Sequence, residues 1–207
     1  MTSTSHPRAD LPPNHHAHHP GFAGLGGALA ALCFTVGRSG DAELAVELTG
    51  TGPGDDVVDI GCGPGVAVRH AAARGATSVV GVDPATVMLR AARVLTRGTP
   101  RYLVGTAEDL PLPDGSATVA WSLATVHHWQ DVDAGLREAR RVLRPTGRLL
   151  AVERLVAPGA TGLASHGWTE PQAEQFAERC RAAGFTHVEV GRHRSGRRRQ
   201  VLSVLAR

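Results

Sequence analysis

Short apolar runs of strand type alternate with amphipathic segments of helix length from Val57 to the C-terminus. The runs are VVDIG, TSVVGVD, RYLVGTA, ATVAWSLA, GRLLAVERL, FTHVEVGR and RRQVLSVLAR. Strands joined by helices pair in parallel through right-handed crossovers. Only HRSG separates the last two runs, so these must be antiparallel neighbours. The pattern therefore predicts an α/β fold with a doubly wound, seven-stranded, mostly parallel sheet whose last strand is antiparallel.

The N-terminal forty residues have a different character. Residues 1–20 carry four prolines and little apolar periodicity, which is typical of an extended arm. Residues 22–37 read as a helix of small residues, and Asp41 is a suitable N-cap for the helix DAELAVEL. Since we find no internal repeat and no later linker, we predict an arm with a cap helix over 1–40 and one domain over 41–207.

Cysteine content and hydropathy restrict the class of protein. Cys33, Cys62 and Cys180 are few, odd in number and without CxxC spacing, so they favour neither a disulfide framework nor a structural zinc site. The longest apolar run, 22–36, is shorter than the ~20 residues of a spanning helix and lacks the flanks of a signal peptide. We expect a cytoplasmic protein without stable membrane insertion.

All 22 basic residues are arginines, in a chain of net charge +3. Several of them cluster near the end of the chain: Arg192, Arg194, Arg197, Arg198 and Arg199. Such a cluster can contact nucleic acid or an acidic substrate. It also suits the solvated tip of a hairpin, and we favour this second interpretation.

The stretch VVDIGCGPG, residues 57–65, indicates a ligand site. A strand ends at Asp59, and Gly61, Gly63 and Gly65 then alternate before a helix, so the backbone can turn sharply and a ligand can approach it closely. No GxxxxGK[ST] loop is present, and Val66 breaks the GxGxxG dinucleotide pattern. The remaining DxGxGxG pattern places a carboxylate beside the loop, which suits a ligand with a cationic amino-acid end.

With this motif the chain resembles the class I S-adenosylmethionine-dependent methyltransferases, within them the small-molecule branch that includes the ubiquinone/menaquinone-type enzymes. The resemblance covers about residues 40–155. It implies S-adenosylmethionine as cofactor and S-adenosylhomocysteine as product. It also implies that an acidic residue at the end of the second strand takes the ribose hydroxyls, and that GTAEDLPLPDGS flanks the adenine. The cofactor-binding residues implied in this way are Asp59, Gly61, Cys62, Gly63, Gly65, Asp83, Pro84, Thr106, Ala107, Glu108 and Ser122.

The chain departs from the family pattern beside the adenine. Thr106 stands where the family often has an aspartate, so selectivity for the base rests on a hydroxyl and on the backbone of Ala107 and Glu108. RPTG replaces the usual RPGG in a later loop. Neither change removes the cofactor site.

Two histidines follow the fourth predicted strand, in WSLATVHHWQD. Methyl transfer needs the nucleophile, methyl and sulfur in line in a dry pocket. A hydroxyl acceptor gains from a base, and histidine has an ordinary pKa of about 6.5. His127 and His128 are therefore catalytic candidates, of which at most one is a base. The alternative is a structural pair that caps the next helix and packs against Trp129.

Four further histidines lie in NHHAHHPGF. His15, His16, His18 and His19 admit three interpretations: a bound metal, imidazoles that enter the acceptor pocket, or a polar arm that is merely rich in histidine. Because no cysteine or carboxylate pair nearby completes a ligand set, we predict no metal site and name His18 and His19 as further catalytic candidates. In the short segment after the fifth strand, Trp168 is expected to act as a hydrophobic staple.

These patterns favour transfer of a methyl group from S-adenosylmethionine to an O-, N- or C-nucleophile of a small molecule. One alternative is a protein that binds S-adenosylmethionine without turnover. An NAD-type oxidoreductase is a weaker alternative, because it fails at Val66 and leaves Asp59 without a role. Nucleic acid is not an expected partner, since LATVHHW stands where an NPPY-like segment would be needed. A homodimer is compatible with the sequence.

Overall fold

The computed structural model describes residues 12–17, 39–196 and 199–207. The helix predicted over 22–37 lies outside these ranges, as do Cys33 and the catalytic candidates His18 and His19. The described helices are α1 (Ser39–Thr49), α2 (Val66–Ala73), α3 (Thr86–Leu95), α4 (Val132–Val142) and α5 (Glu170–Ala182). The described strands are β1 (Asp56–Ile60), β2 (Ser78–Asp83), β3 (Arg101–Val104), β4 (Ala117–Leu123), β5 (Leu143–Arg154), β6 (Val188–Ser195) and β7 (Arg199–Ala206).

These seven described strands form one sheet in the order β3-β2-β1-β4-β5-β7-β6. The pairs from β3 to β5 are parallel, whereas β7 runs antiparallel to both β5 and β6. The predicted α/β fold with an antiparallel last strand is confirmed.

Both faces of the sheet are covered, since alternate residues of its strands pack in opposite directions. In β4, Val119 and Trp121 belong to the core beneath α1, α2 and α3, whereas Ala120 faces the core beneath α4 and α5. Trp121 is fully buried. Burial of a large apolar side chain stabilises a fold by about 1.5–3 kcal/mol. The central strands are therefore stably packed on both faces, and this packing fixes the positions of their carboxyl ends.

Two element boundaries differ from the prediction. Helix α1 already includes Ser39, so Asp41 lies in its first turn and is not its N-cap. The buried carboxylate of Asp41 accepts hydrogen bonds from the Ser195 hydroxyl and the Arg199 guanidinium. Strand β5 begins at Leu143, which pairs with Ala117 before the register shifts. Long-range pairing thus extends a strand that the local pattern placed four residues later.

The start of α5 matches its prediction. The backbone N–H of Thr169 donates to Oε1 of Gln172 at 2.8 Å, as a capping box requires. Trp168 is fully buried, with its ring centroid 4.9 Å from that of Phe176. The contact fixes the direction in which the chain enters α5, so Trp168 belongs to the core.

The arginines near the C-terminus take part in the fold. Arg192 makes an ion pair with Glu170 at 3.1 Å, and Arg199 pairs with Asp41. Arg197 and Arg198 lie outside the described residues. Within the described ranges, no helix combines the length and apolar content needed to cross a membrane.

The sheet order reverses between β1 and β4. The chain runs outward from β1 through β2 to β3, then returns to the other side of β1 as β4. In open α/β sheets the crevice at the carboxyl ends of two such strands is the usual ligand site. The segments that follow β1 and β4 are therefore the expected location of a ligand site.

Candidate functional site

The loop after β1 is tied to β2 by two backbone hydrogen bonds. The N–H groups of Gly61 and Cys62 donate to the carbonyl of Val82 at 2.8 and 3.0 Å. Gly61 (φ 77°) and Gly65 (φ 75°) adopt left-handed conformations, and a Cβ at either would overlap a side chain. At Gly65 it would lie 2.3 Å from the hydroxyl of Tyr102. These two glycines are required by the fold itself.

Gly63 differs from its two neighbours in the motif. Its φ is 51°, and a Cβ built there would meet nothing within 4 Å. The backbone at Gly63 thus faces open space. The buried carboxylate of Asp83 accepts from its N–H, and the buried carboxylate of Asp59 lies near the neighbouring Cys62. A ligand can therefore contact the main chain at Gly63.

Asp83 is held by the loop that it flanks. Its Oδ2 accepts from the N–H of Gly63 at 2.9 Å, and its Oδ1 accepts from the N–H of Ala85 at 2.8 Å. These two hydrogen bonds fix the Asp83 carboxylate at the carboxyl end of β2, beside the glycine loop. Pro84 is exposed beside it and precedes Ala85, the N-cap of α3, so it lies before the helix and not in its first turn.

The thiol of Cys62 is buried within this loop. Burial raises its pKa well above the usual range, and the nearby carboxylates of Asp59 and Asp83 raise it further. A neutral thiol is a poor nucleophile. Cys62 therefore forms part of the wall of the loop and takes no nucleophilic role.

The three candidates for the adenine site after β3 have different surroundings. Thr106 is exposed and forms an isolated antiparallel bridge with Asp109, while Ala107 is buried in the core. Glu108 Oε1 accepts from the N–H groups of Gln130 at 2.7 Å and of Asp131 at 3.2 Å. The Glu108 carboxylate thus fixes the loop before α4.

Ser122 is fully buried at the carboxyl end of β4. The Thr125 hydroxyl donates to the carbonyl of Ile60 at 3.0 Å, so it accepts from the Ser122 hydroxyl at 2.7 Å. This relay ties the segment after β4 to the end of β1. Its position assigns Ser122 to the support of the glycine loop.

His127 is buried and joined to a carboxylate that the sequence analysis did not select. Its Nδ1 lies 2.8 Å from Oε2 of Glu153, and its backbone N–H donates to Oε1 of Glu153 at 3.3 Å. Glu153 is fully buried near the end of β5, the strand beside β4. With the proton on Nδ1, Nε2 of His127 carries an unshared electron pair.

His128 and His166 lie against His127. The ring centroids are 4.1 Å apart for His127 and His128, and 5.3 Å apart for His127 and His166. Burial, and then the neighbouring His127, lower the pKa of His128 to about 4. At neutral pH His128 is therefore an uncharged imidazole.

The described part of the arm, residues 12–17, lies over this group. The Asn14 side chain donates to the carbonyl of Trp129 at 3.0 Å, and the N–H of His16 donates to the carbonyl of His127 at 2.8 Å. His16 stacks on His166 at a centroid distance of 4.3 Å. His15 and His16 thus join the edge at which β4 and β5 end.

Both ring nitrogens of His15 have partners. Nε2 lies 2.9 Å from the carbonyl of Ser165 and must donate to it. Nδ1 then accepts from Nε2 of Gln172 at 3.1 Å, the amide whose oxygen already caps α5. His15 thus attaches the arm to α5 and to the segment before it.

Comparison with known proteins identifies the domain. The protein family described as a methyltransferase domain matches residues 58–151, from β1 to β5. The matched residues include Gly63, Asp59, Asp83, His127 and His128. Residues 58–151 thus form a methyltransferase domain of the S-adenosylmethionine-dependent type.

Two curated relatives and one solved structure illustrate the likeness. The 27-O-demethylrifamycin SV methyltransferase of Amycolatopsis mediterranei is 33% identical over 66% of this chain and 48% of its own length. The malonyl-[acyl-carrier protein] O-methyltransferase of Serratia marcescens is 33% identical over 74% of this chain and 56% of its own. The chain thus spans about half the length of these relatives. Phosphoethanolamine N-methyltransferase 2 of Haemonchus contortus, solved with S-adenosylhomocysteine, shares the fold (TM-score 0.70, 19% identity, 86% of this chain and 56% of that chain).

The cofactor of this methyltransferase family, S-adenosylmethionine, fits the residues present. Its sulfonium and its amino group are positively charged, and the buried carboxylates of Asp59 and Asp83 lie at the glycine loop. The open space over Gly63 lets the ligand approach the backbone without meeting a Cβ. The glycine loop thus offers an accessible backbone, and the two carboxylates offer hydrogen-bond acceptors and negative charge for a ligand with positive charges and a ribose.

Sequence reasoning missed Glu153 and gave no role to His166. An acidic residue inside the apolar run LLAVERL, near the carboxyl end of a predicted parallel strand, was the signal for Glu153. His166 had no local signal, because its neighbours in the cluster are distant in the chain.

Proposed function

We propose that this chain transfers the methyl group of S-adenosylmethionine to a hydroxyl of a small-molecule acceptor. The observation that carries the proposal is the arrangement of two features on one sheet edge. The bare glycine loop with Asp59 and Asp83 follows β1, and the buried His127–Glu153 pair follows β4 and β5. The first suits the cofactor and the second suits an acceptor that loses a proton.

The cofactor half of the proposal assigns roles to the loop residues. Asp83 accepts the ribose hydroxyls, Asp59 faces the cationic amino-acid end, and Gly63 supplies a main-chain contact. The backbone of Ala107 and Glu108, with Thr106, flanks the adenine. Pro84 borders the ribose, and Ser122 supports the loop through Thr125.

The acceptor half rests on the contact between His127 and Glu153. The buried Glu153 carboxylate accepts from Nδ1–H, which fixes the tautomer and the orientation of the His127 ring. Nε2 is then the atom that serves the acceptor. The two curated relatives are named for a hydroxyl of rifamycin and for a malonyl group on a carrier protein, which supports an oxygen nucleophile.

The arm completes the proposed acceptor site. Residues 12–17 contact the turn after β4 through Asn14 and His16, and Trp168 Nε1 donates to the carbonyl of Pro13 at 2.9 Å. The arm therefore closes the side of the crevice next to the histidines. This supports a functional division between an N-terminal arm (1–40) and the methyltransferase domain (41–207).

A direct assay tests the proposal. The chain is incubated with S-adenosylmethionine labelled in its methyl group and with a panel of phenols, aliphatic alcohols, amines and thiols, and the products are read by mass. We expect labelled ethers from the hydroxyl compounds, and a loss of product in Asp83→Ala. Cofactor binding without any labelled product across the panel would favour a binding protein without turnover.

A further inference from the structure

We propose that His127, His128 and His166 form a site for one divalent transition-metal ion, which lies within the acceptor site. Each residue offers a ring nitrogen, and the three nitrogens lie within 4.8 Å of one another among the described residues. Three histidines are an established ligand set for catalytic zinc, with a fourth position left open.

Two separate parts of the fold bring these ligands together. His127 and His128 lie in the short turn Val126–His128 after β4, and His166 lies in the segment after β5. In a tetrahedral site with Zn–N bonds of about 2.0–2.1 Å, ligand nitrogens lie about 3.3 Å apart. The three ring nitrogens, all within 4.8 Å of one another, lie close to that spacing.

Glu153 provides a second, independent indication of a metal ligand. A metal-bound histidine usually donates its other ring N–H to a carboxylate, which orients the ring and makes it a better ligand. Nδ1 of His127 is 2.8 Å from Glu153, so Nε2 is the coordinating atom. A cation bound there would also compensate the charge of the fully buried Glu153 carboxylate.

The arm histidines have a supporting role at this site. His15 uses both ring nitrogens in hydrogen bonds, so it is excluded as a ligand in this conformation. His16 directs Nε2 to the Ser165 hydroxyl at 3.0 Å, and its ring lies nearly parallel to that of His166 at an interplanar angle of 27°. His16 is therefore a positioning residue for His166.

The open fourth position gives the site a chemical role, and this part rests on the function proposed above. An acceptor hydroxyl that coordinates the ion has a lower pKa and loses its proton to solvent. The resulting oxygen attacks the methyl carbon as the S–CH₃ bond breaks. The electron pair of that bond remains on sulfur, which leaves neutral S-adenosylhomocysteine and a methyl ether.

Imidazole ligands suit zinc, copper, iron and nickel. Zinc is the appropriate probe, because it has no redox chemistry and accepts tetrahedral geometry. Cobalt(II) can replace it as a spectroscopic probe, since a tetrahedral cobalt complex absorbs strongly in the visible range.

The first test is a titration of metal-free protein with zinc chloride, read by calorimetry and by metal analysis after gel filtration. We expect one zinc ion per wild-type chain, and its loss in His166→Ala and in His128→Ala. His187→Ala is the matched control, because it removes an exposed histidine outside the cluster. We expect that variant to bind zinc as the wild type does.

Two further variants test whether the arm histidines bind the ion and whether Glu153 supports His127 as a ligand. His18→Ala/His19→Ala should keep the single zinc ion, because these residues are not among the three ligands. Glu153→Gln should weaken zinc binding about 10–100-fold, as loss of an outer carboxylate does. Circular dichroism and S-adenosylhomocysteine binding confirm that each variant is folded.

Three results would overturn the metal site. They are absence of zinc binding in the wild type, retention of zinc in both His166→Ala and His128→Ala, and loss of zinc in His18→Ala/His19→Ala alone. The proposed function fails separately, through absence of methylated product. Methyl transfer by a chain that binds no zinc would contradict the metal site and leave the methyltransferase proposal standing.

Discussion

Glu153 at the end of β5 and His127 in the turn after β4 are joined by a hydrogen bond of 2.8 Å, and both side chains are buried. The same carboxylate also accepts the backbone N–H of His127. Glu153 thus fixes both the position of the turn and the tautomer of the ring. The acceptor site proposed above depends on this contact.

Replacement of Glu153 should therefore affect stability and turnover together. In Glu153→Ala the N–H and Nδ1–H of His127 lose their acceptor, and we expect the free energy of unfolding to fall by about 1–3 kcal/mol. Turnover should fall by about 10²-fold or more, while affinity for S-adenosylhomocysteine stays the same. Urea denaturation, kinetics and calorimetry measure the three quantities.

Glu189→Ala provides the control for this change, because Glu189 is exposed on β6. It should alter none of the three quantities. Equal losses in the two variants would contradict a specific role for Glu153.

Two glycines of the motif should respond differently to a methyl group. Gly65→Ala places a Cβ against Tyr102 at a positive φ, so we expect a loss of about 3 kcal/mol in the free energy of unfolding. Gly63→Ala meets open space and should cost only about 1 kcal/mol. The added methyl group of Gly63→Ala would occupy the open space beside the backbone, so the affinity for S-adenosylhomocysteine should fall at least about tenfold.

Thermal unfolding and calorimetry on both glycine variants make this comparison. If Gly63→Ala binds S-adenosylhomocysteine as the wild type does, the ligand does not contact the backbone at that position.

The Glu138–Arg141 pair gives a pH-dependent contribution to stability. Two hydrogen bonds at 2.7 Å from the Arg141 guanidinium hold the pKa of Glu138 below its usual 4.5, and the N–H of Leu110 adds a third. Because the folded-state pKa is the lower one, this stabilisation is present above pH 4.5 and is lost as the pH falls through the folded pKa. Solvent screening limits it to about 1 kcal/mol.

Urea denaturation of wild type and Glu138→Gln, at neutral pH and well below pH 4.5, tests this contribution. The stability difference should be present at neutral pH and shrink in acid. Glu178→Gln removes an exposed ion pair with Arg181 and should show almost no difference at either pH. A difference for Glu138→Gln that grows in acid would contradict the assigned sign.

Asn14 should control how firmly the arm closes the acceptor site. Its side-chain amide donates to the carbonyls of Trp129 and Gln130 at 3.0 and 3.3 Å. In Asn14→Ala we expect the KM for the acceptor to rise several-fold, because the arm is released, while the Kd for S-adenosylhomocysteine is unchanged. Asn14→Asp, which keeps the size but lacks the N–H donor, should behave like the alanine variant; wild-type KM in both would remove the arm from the acceptor site.

The sequence is sufficient to predict features that local chemistry determines. Alternating strands and helices fix the sheet class, and the spacing of Asp59 and the glycines fixes the ligand loop. The capping box at Thr169 and Gln172 is likewise local. Each of these depends on residues close together in the chain, so pattern and propensity specify them.

Predictions about features that depend on long-range contacts were wrong or missing. Asp41 suited an N-cap, but a buried ion pair with Arg199, 158 positions away, places it inside α1. Glu153 reaches His127 only because β4 and β5 pair, and the arm reaches Ser165 across 150 positions. The prediction of no metal site considered residues near the arm histidines, whereas the site proposed above draws two of its three imidazoles from the turn after β4 and one from the segment after β5.

Calorimetric titration with S-adenosylhomocysteine shows whether the glycine loop and Asp83 hold S-adenosylmethionine. We expect one ligand per chain in the wild type, and at least about a tenfold loss of affinity in Asp83→Ala, because hydrogen bonds to a charged group contribute about 1.5–3 kcal/mol. NADH should give no heat of binding. Absence of S-adenosylhomocysteine binding by the folded wild-type chain, or equal affinity in Asp83→Ala, would show that the loop and Asp83 do not hold the cofactor.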